Sequence, residues 1–305
     1  MFKNNKSLFV IAVIAIVNAL GYGIIIPILY SYSQKFGLTD FQNGLLFAIF
    51  SLCQFLATPA IGRLSDKYGR RPLLLISLIG TAISFFMMAF APSAIFLFIA
   101  RALDGLTSGN IPVASAVISD TTEPKDRAKG FGIIGASFGF GFVFGPAISA
   151  LTLGYGTAIP FIIAGVVSVI AVIMTWYMLP ETNKHLGQVK KEPLIDVKKL
   201  LFAVTDERVG MTLFVSLLYS FAFGLFIYAF QPVAVKVVHL NATQISITFT
   251  MFGLVGLLSQ VFVIPKVTKF LGEKRALILS LMILVCTFFG FFLVNSFVML
   301  VLLCV

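Results

Sequence analysis

The sequence predicts an all-α polytopic membrane protein, and three observations support that fold class. Of its 305 residues, 59% are hydrophobic and only 11% are charged, whereas soluble domains are roughly half apolar and a quarter charged. The apolar residues lie in blocks of about 20 residues, the length that crosses a bilayer as a helix. The blocks are continuously apolar, whereas barrel strands alternate over about ten residues, so helices are expected.

Nine complete membrane-spanning helices are predicted along the chain. They lie near residues 8–32, 42–61, 73–91, 94–118, 130–153, 159–179, 209–231, 244–265 and 275–294. A tenth apolar run begins near Phe297 and reaches Val305, where the sequence stops. That run is too short to cross the hydrocarbon core.

The basic residues indicate the orientation of these helices. Of the 22 lysines and arginines, only Lys35 and Lys236 lie in predicted outer loops and Arg101 lies inside a span, while the others share one side of the membrane. Because cytoplasmic loops carry an excess of Lys and Arg, we expect a multi-pass plasma-membrane protein with a cytoplasmic N-terminus, in the inner membrane if the source is bacterial. The net charge of +10 is therefore interpreted as topology beside a lipid bilayer and not as a nucleic-acid surface.

The longest polar stretch divides the spans into two groups. It covers residues 181–208, directly after Pro180. We expect an N-terminal six-helix bundle at 1–180, a cytoplasmic linker at 181–208, and an incomplete C-terminal bundle at 209–305 with three full helices and part of a fourth. Paired halves are the usual architecture of alternating-access carriers.

Two ionisable residues fall well inside one predicted helix. Asp104 and Arg101 lie in the fourth span, where a charge is costly unless it has a partner or a water-filled cavity. Their spacing of three places them on one helix face, which Ser108 continues. One interpretation is a buried structural ion pair. The other is a proton-binding carboxylate, because burial favours the neutral acid and an approaching guanidinium favours the carboxylate.

Four further polar residues inside the spans are candidates for a substrate or proton pathway: Asn18, Tyr22, Gln54 and Asn110. Asn18 and Tyr22 lie one helical turn apart and can line the same cavity. The alternative for each residue is an interhelical hydrogen bond without a ligand. The 33 phenylalanines permit a large apolar pocket, although most of them must face lipid or pack.

The sequence lacks the patterns that are typical of an enzyme or an ATP-driven pump. It has no glycine-rich phosphate loop, no spacing typical of metal ligands, and no nucleophile constellation. We therefore expect no enzymatic activity, no cofactor and no metal site. The three cysteines are interpreted as small hydrophobic residues.

The segment GRLSDKYGRRPLL at 62–74 lies in the predicted cytoplasmic turn between the second and third spans. Gly62 and Gly69 permit a tight turn and a close helix approach. Asp66 can accept hydrogen bonds from a helix N-terminus or from basic side chains such as Arg70 and Arg71. The pattern resembles the signature loop of the major facilitator superfamily. A plain basic loop explains the charges but not the spacing of the glycines and the aspartate.

Two later segments resemble motifs of the drug:proton antiporters in that superfamily. RALDGLTSGN at 101–110 is similar to their fourth-helix motif, whose arginine is implicated in proton transfer, and SDTTEPKDRAKG follows at 119–130. The resemblance implies a cytoplasmic latch that holds the outward-facing state, formed by Asp66, Arg70, Asp120 and Arg127 within the signature loop and its partners. The alternative is that each loop charge is solvated and contributes little energy.

The fifth span carries Gly132, Gly141, Gly145 and Pro146, which are similar to the antiporter motif and favour export. Glycines at these spacings let helices approach closely, and the proline makes a site where the helix can bend. Ordinary glycine-rich membrane packing is the alternative. The tail LPET at 179–182 also looks like that of the exporter branch.

The resemblance implies a fold and a function together. The fold is the major facilitator fold of two pseudo-symmetric helix bundles, with about 9–10 of 12 transmembrane helices present. The function is that of the tetracycline and multidrug exporter branch, a monomeric secondary transporter that exports small amphipathic or hydrophobic molecules in exchange for protons by alternating access.

Two other functions stay open from the sequence. The first is a proton-coupled or facilitative importer of a sugar or organic acid, which the antiporter motif disfavours. The second is a truncated membrane protein that does not transport, because the tenth apolar run stops inside a span.

Overall fold

The computed structural model describes residues 5–183, 202, 205–206, 209–291 and 293–304. All regular secondary structure within these ranges is helical, so the predicted all-α class is confirmed. Nine segments in the described ranges are long and apolar enough to cross a membrane, one at each predicted position: Lys6–Gln34, Asp40–Tyr68, Arg70–Ala89, Ala94–Thr121, Pro124–Tyr155, Ile159–Met178, Gly210–Lys236, Ala242–Leu271 and Glu273–Phe291.

We number the α-helices in chain order. They are α1 (Asn5–Gln34), α2 (Asp40–Tyr68), α3 (Arg70–Ala89), α4 (Ala94–Thr107), α5 (Ile111–Thr121), α6 (Arg127–Thr152), α7 (Ile159–Met178), α8 (Gly210–Lys236), α9 (Ala242–Leu258), α10 (Ile264–Leu271), α11 (Glu273–Phe291) and α12 (Phe297–Cys304). Short 3₁₀ turns at Pro124–Asp126 and Leu153–Tyr155 flank α6. The predicted tenth apolar run corresponds to α12.

Two helices begin with the same local signal, which the sequence carries at the predicted outer loops. At the start of α2 the Thr39 side chain accepts the backbone N–H of Gln42, and the Gln42 side chain accepts the backbone N–H of Thr39. Asn241 and Gln244 form the same reciprocal pair at the start of α9. Each capping box satisfies backbone N–H groups that have no partner inside the helix. The starts of the second and eighth spans are therefore fixed by local chemistry.

The fourth span is not the continuous helix that the sequence predicted at 94–118. It ends as α4 at Thr107 and resumes as α5 at Ile111. Pro112 has no N–H to donate to the carbonyl of Ser108, four residues earlier, so that carbonyl needs another donor. The side chain of Gln54 supplies it, with Nε2 3.3 Å from the Ser108 oxygen.

The eighth span is longer than the predicted 244–265 and contains a π-turn. Ser259–Val263 separates α9 from α10, and the amide of Ile264 donates to the carbonyl of Ser259, five residues back. The turn ends two residues before Pro265, which has no backbone N–H and cannot continue the regular hydrogen-bond ladder.

Helix α1 lies at the centre of the packing. It packs against α6 and α7, α3 packs against α4 and α7, α2 packs against α4, and α9 packs against α6. Most of the first span is buried, whereas the apolar side chains of α11 are largely exposed.

The contact of α9 with α6 joins the two predicted bundles. The division at 181–208 remains a prediction, and most of that linker lies outside the described residues.

Candidate functional site

A cavity of about 350 Å³ lies between α1, α2, α3, α4, α6 and α8. Its volume falls in the range of small-molecule sites in proteins. Five of the six residues predicted for coupling or substrate binding line it: Asn18, Tyr22, Gln54, Arg101 and Asp104. The rest of the wall is mainly apolar and includes seven aromatic side chains, Phe47, Phe50, Phe85, Phe138, Phe142, Phe223 and Tyr228. The cavity therefore presents one buried ion pair to an apolar, aromatic space.

The ion pair joins Arg101 and Asp104 across one turn of α4. Arg101 Nη1 lies 3.2 Å from Asp104 Oδ2, and the two side chains are only 3% and 6% exposed. Ser108 Oγ donates to Asp104 Oδ1 at 3.1 Å. Arg101 Nε donates to the carbonyl of Leu46 at 3.3 Å. Both charges thus have polar partners, which burial in a low-dielectric interior demands.

Phe50 forms a second support for the arginine. The guanidinium carbon of Arg101 lies 4.1 Å from the Phe50 ring centroid, the geometry of a cation–π contact. Tyr22 packs against the same phenylalanine, with the ring centroids 5.4 Å apart and the planes at 90°. Sequence reasoning missed Phe50. The available signal was its position one helical turn before Gln54, on the same face of α2.

Two amide contacts hold the break in the fourth span. Asn18 and Asn110 exchange hydrogen bonds, at 2.8 Å from Asn18 Nδ2 and 3.3 Å from Asn110 Nδ2. Tyr22 donates to Gln54 Oε1 at 3.1 Å, while Gln54 donates to Ser108. Asn110 is fully buried and lies behind the cavity wall. It connects to the cavity through Asn18.

The signature turn brings three of the four predicted latch charges together. Arg70 Nη1 lies 2.5 Å from Asp66 Oδ1, and Arg70 Nε lies 3.3 Å from Asp120 Oδ2. Arg127 is placed beside this group, where its Nη2 donates to the carbonyl of Ser119 at 3.4 Å. Arg71 points to the end of α7 and donates to the carbonyl of Trp176.

The two glycines of the signature turn differ in their surroundings. Gly69 has a φ of +109° and lies against Glu181, whereas a Cβ on Gly62 would meet nothing within 4 Å. Only Gly69 therefore needs to be glycine for local steric reasons in this conformation.

Three of the four antiporter-motif residues lie where α6 packs on α1. A Cβ on Gly141 would collide with Ala19, and a Cβ on Gly145 would lie 2.7 Å from the Cα of Gly23. Pro146 touches the same glycine of α1. Gly132 is different, because a Cβ there would meet nothing within 4 Å. Close helix approach thus explains Gly141 and Gly145 but not Gly132.

A polar group near the predicted outer end joins α1 and α2 to α8. Lys236 Nζ donates to Asp40 Oδ2 at 2.6 Å, and Tyr30 Oη donates to Asp40 Oδ1 at 2.7 Å. The backbone N–H of Tyr30 donates to Gln231 Oε1 at 3.0 Å. We call these four residues the outer clamp. Sequence reasoning missed it, because its partners are up to 201 positions apart.

The model of the family described as Major Facilitator Superfamily matches residues 11–305. The chain belongs to the major facilitator superfamily. It is therefore a multi-pass membrane transporter by family, and the predicted family and fold are confirmed.

Curated relatives lie in the drug-resistance part of this superfamily. The chain is 33% identical to the tetracycline resistance protein, class C, of Escherichia coli over 287 residues, covering 90% of this chain and 71% of that one. It is 30% identical to the quinolone resistance protein NorA of Staphylococcus aureus over 281 residues, covering 91% of this chain and 71% of that one.

Solved structures show the same fold. A bacterial homologue of the human lysosomal transporter Spinster aligns with a TM-score of 0.72 and 20% identity, covering 98% of this chain and 70% of that one. The human organic anion transporter MFSD10 (TETRAN) aligns with a TM-score of 0.66 and 22% identity, covering 83% and 70%.

Proposed function

We propose that this major facilitator protein exports small, amphipathic or hydrophobic molecules in exchange for protons. The observation that carries the proposal is the buried Arg101–Asp104 pair on the wall of an aromatic cavity. A carboxyl group that borders a membrane-embedded cavity can change its charge as its surroundings change. The resemblance to drug:proton antiporters and the names of the relatives support export over import.

Asp104 is proposed as the proton-binding residue and Arg101 as its partner. When Asp104 is ionised, the arginine neutralises it and the cavity is free for substrate. When a proton arrives from the outside, Asp104 becomes neutral, and Arg101 keeps the Leu46 carbonyl and the Phe50 ring as partners. Exchange requires that proton and substrate occupy the site in alternation. In this proposal the substrate binds while Asp104 is ionised, and the proton binds when the substrate has left.

The aromatic wall supports an apolar or amphipathic substrate. Flat aromatic side chains pack well against fused-ring molecules, and the amides of Asn18 and Gln54 offer hydrogen bonds at the edge of the cavity. The relatives are named for resistance to tetracycline and quinolones, and both compound classes contain fused rings with polar substituents. We take them as first probes for this chain.

Alternating access is proposed to proceed between a state with the outer clamp closed and a state with it open. The packing supports assignment of the present conformation to the first state. Gly253 of α9 lies against the backbone of Phe142 and Leu257 lies against Gly139, whereas Cβ atoms at Gly132 and Gly135 would meet nothing within 4 Å. These contacts support closure between the outer clamp and the middle of α6, and the open positions at Gly132 and Gly135 support a separation nearer the start of α6.

The orientation and the latch complete the proposal. The basic loops support a cytoplasmic location for the signature turn and the N-terminus, and the bacterial relatives support an inner membrane. Asp66, Arg70 and Asp120 are already joined in the present conformation, and with Arg127 this group is proposed to hold the cytoplasmic end shut in the opposite state as well.

Everted membrane vesicles with an acidic interior test this function. The gene product should accumulate tetracycline or a quinolone inside the vesicles, and an ionophore that dissipates the proton gradient should release it. Depletion of the compound from the vesicles would indicate proton-coupled import and contradict export. If both compounds reach equal concentrations inside and outside the vesicles, with or without the proton gradient, the proposed exchange of these compounds for protons loses its support.

A further inference from the structure

Residues 181–183, which lie shortly after the end of α7, fold back onto the signature turn. We call Glu181, Thr182 and Asn183 the clip. Glu181 Oε1 accepts the backbone N–H of Arg70 at 2.9 Å, and Oε2 accepts that of Arg71 at 3.1 Å. Oε1 also accepts the N–H groups of Thr182 and Asn183, at 2.9 and 2.8 Å. One carboxylate therefore receives four backbone N–H groups.

This contact replaces a missing helix cap. The N-cap of α3 is Gly69, which has no side chain and makes no capping hydrogen bond. The first N–H groups of a helix need an acceptor, and a negative charge is favoured there by the helix dipole. A Cβ on Gly69 would collide with Glu181 Oε2. Glycine at this position thus permits both the turn and the approach of the carboxylate.

The clip also caps the helix that enters the turn. Asn183 Nδ2 donates to the carbonyl of Asp66 at 2.8 Å and lies 3.5 Å from that of Ser65. Both carbonyls belong to the last turn of α2, where donors are favoured. Glu181 thus caps the start of α3, and Asn183, two residues later, caps the end of α2.

The clip fixes the backbone from which the latch arginines extend. With the N–H groups of Arg70 and Arg71 held by Glu181, the side chain of Arg70 reaches Asp66 and Asp120. The side chain of Arg71 turns to α7, where its guanidinium lies 5.3 Å from the Trp176 ring centroid.

We propose that Glu181 is a positioning residue for the latch. Its carboxylate holds the signature turn in the conformation that places Arg70 between Asp66 and Asp120. It also anchors the start of the connection to the second half, so that movement of that half acts on the turn. The effect on transport rests on the proposed function, whereas the effect on the turn does not.

Two measurements on Glu181→Gln separate these parts. Hydrogen exchange at the amides of Arg70 and Arg71 reports the turn directly, and we expect it to become about tenfold faster when the charged acceptor is lost. Transport kinetics report the latch, and we expect kcat to fall about three- to tenfold while KM stays within about twofold, because Glu181 lies away from the cavity. Glu123→Gln is the matched control, since Glu123 is an exposed acid on the same side that pairs with Lys125.

A second pair of variants tests the contact between Gly69 and Glu181 independently, and strictly multiplicative losses would contradict it. Gly69→Ala brings a methyl group onto the carboxylate, and Glu181→Ala removes that carboxylate. The double variant should therefore lose less transport than the product of the two single losses.

Unchanged hydrogen exchange in Glu181→Gln would overturn the capping role. Faster exchange with unchanged kcat would overturn the latch role, and so would a kcat loss of the same size in Glu123→Gln. If the unmodified protein shows no proton-coupled exchange, the proposed function fails, and the exchange rates at Arg70 and Arg71 still decide the capping role.

Discussion

The guanidinium of Arg101 lies on the ring face of Phe50, with 4.1 Å between its central carbon and the ring centroid. The same guanidinium binds Asp104 and the carbonyl of Leu46. Tyr22, which lines the cavity, packs against the same phenylalanine with the two rings perpendicular. A substrate that displaces Tyr22 therefore acts on the residue that supports the charge beside Asp104. This relationship connects the cavity to the ion pair without a long-range pathway.

Phe50→Leu should weaken coupling between substrate and proton. Loss of a desolvated cation–π contact costs about 1–2 kcal/mol, so the rate of pH-driven exchange should fall about tenfold. Phe50→Tyr keeps the ring face and should keep most of the rate. Phe161→Leu is the packing control, because Phe161 is fully buried and does not line the cavity. Equal losses at the two positions would show that general packing, and not the contact with Arg101, is responsible.

Arg101→Lys should not restore the function of the arginine. A lysine keeps the charge but cannot present a planar group to Phe50 while donating to Asp104 and Leu46. We expect about a tenfold or greater loss of exchange with the protein still folded. Arg101→Ala should also destabilise the protein by about 3–5 kcal/mol, because it leaves a buried carboxylate unpaired. Unfolding temperatures in detergent measure the second effect, and near-identical stabilities would contradict it.

The amide pair of Asn18 and Asn110 should behave as a single unit. Each single alanine variant leaves the other amide without its partner, and Asn18→Ala, which orphans the fully buried Asn110, should cost about 1–3 kcal/mol. The double alanine variant should cost less than the sum of the two single effects, because no orphaned partner remains. Thermal unfolding of the four proteins provides the comparison. Strict additivity would show that the two amides do not depend on each other.

The outer clamp should influence conformation more than stability. Asp40 and Lys236 are 37% and 55% exposed at their side chains, and pairs of this kind contribute about 0–1 kcal/mol. Asp40→Lys should shift the protein away from the closed outer end, measured as faster labelling of a cysteine placed beside the clamp. Exchange of the two charges, with Asp40→Lys and Lys236→Asp combined, should reverse most of that shift.

Salt provides an independent check of the clamp. At about 1 M salt the charges are screened, so the labelling rate of the unmodified protein should approach that of Asp40→Lys. No effect of salt and no recovery in the charge-exchanged variant would exclude the ion pair as part of a gate.

Local spacing made much of this molecule predictable. The nine apolar blocks defined the spans, and the interval of three residues placed Arg101 and Asp104 on one face of α4. Contacts between residues far apart in sequence were not predictable in this way. The break at Ser108 depends on Pro112, which is visible in the sequence, and on Gln54, which reaches it from another helix.

The same reason explains the other residues that sequence reasoning missed. Glu181 is separated from Arg70 by 111 positions and Lys236 from Asp40 by 196. Neither pair has a local periodicity that would reveal it. Their roles follow only from how α2, α3, α7 and α8 pack.

The most direct test of proton exchange is Asp104→Asn in the gene product reconstituted into vesicles. Asparagine keeps the size of the side chain, its Oδ1 can accept from Arg101 and its Nδ2 can donate to the Ser108 hydroxyl, but it cannot take up a proton. Substrate accumulation driven by a pH gradient should be abolished, while downhill exchange of substrate without a gradient persists. The control Glu123→Gln should retain both activities. Undiminished pH-driven accumulation in Asp104→Asn would contradict the assignment of Asp104 as the coupling residue.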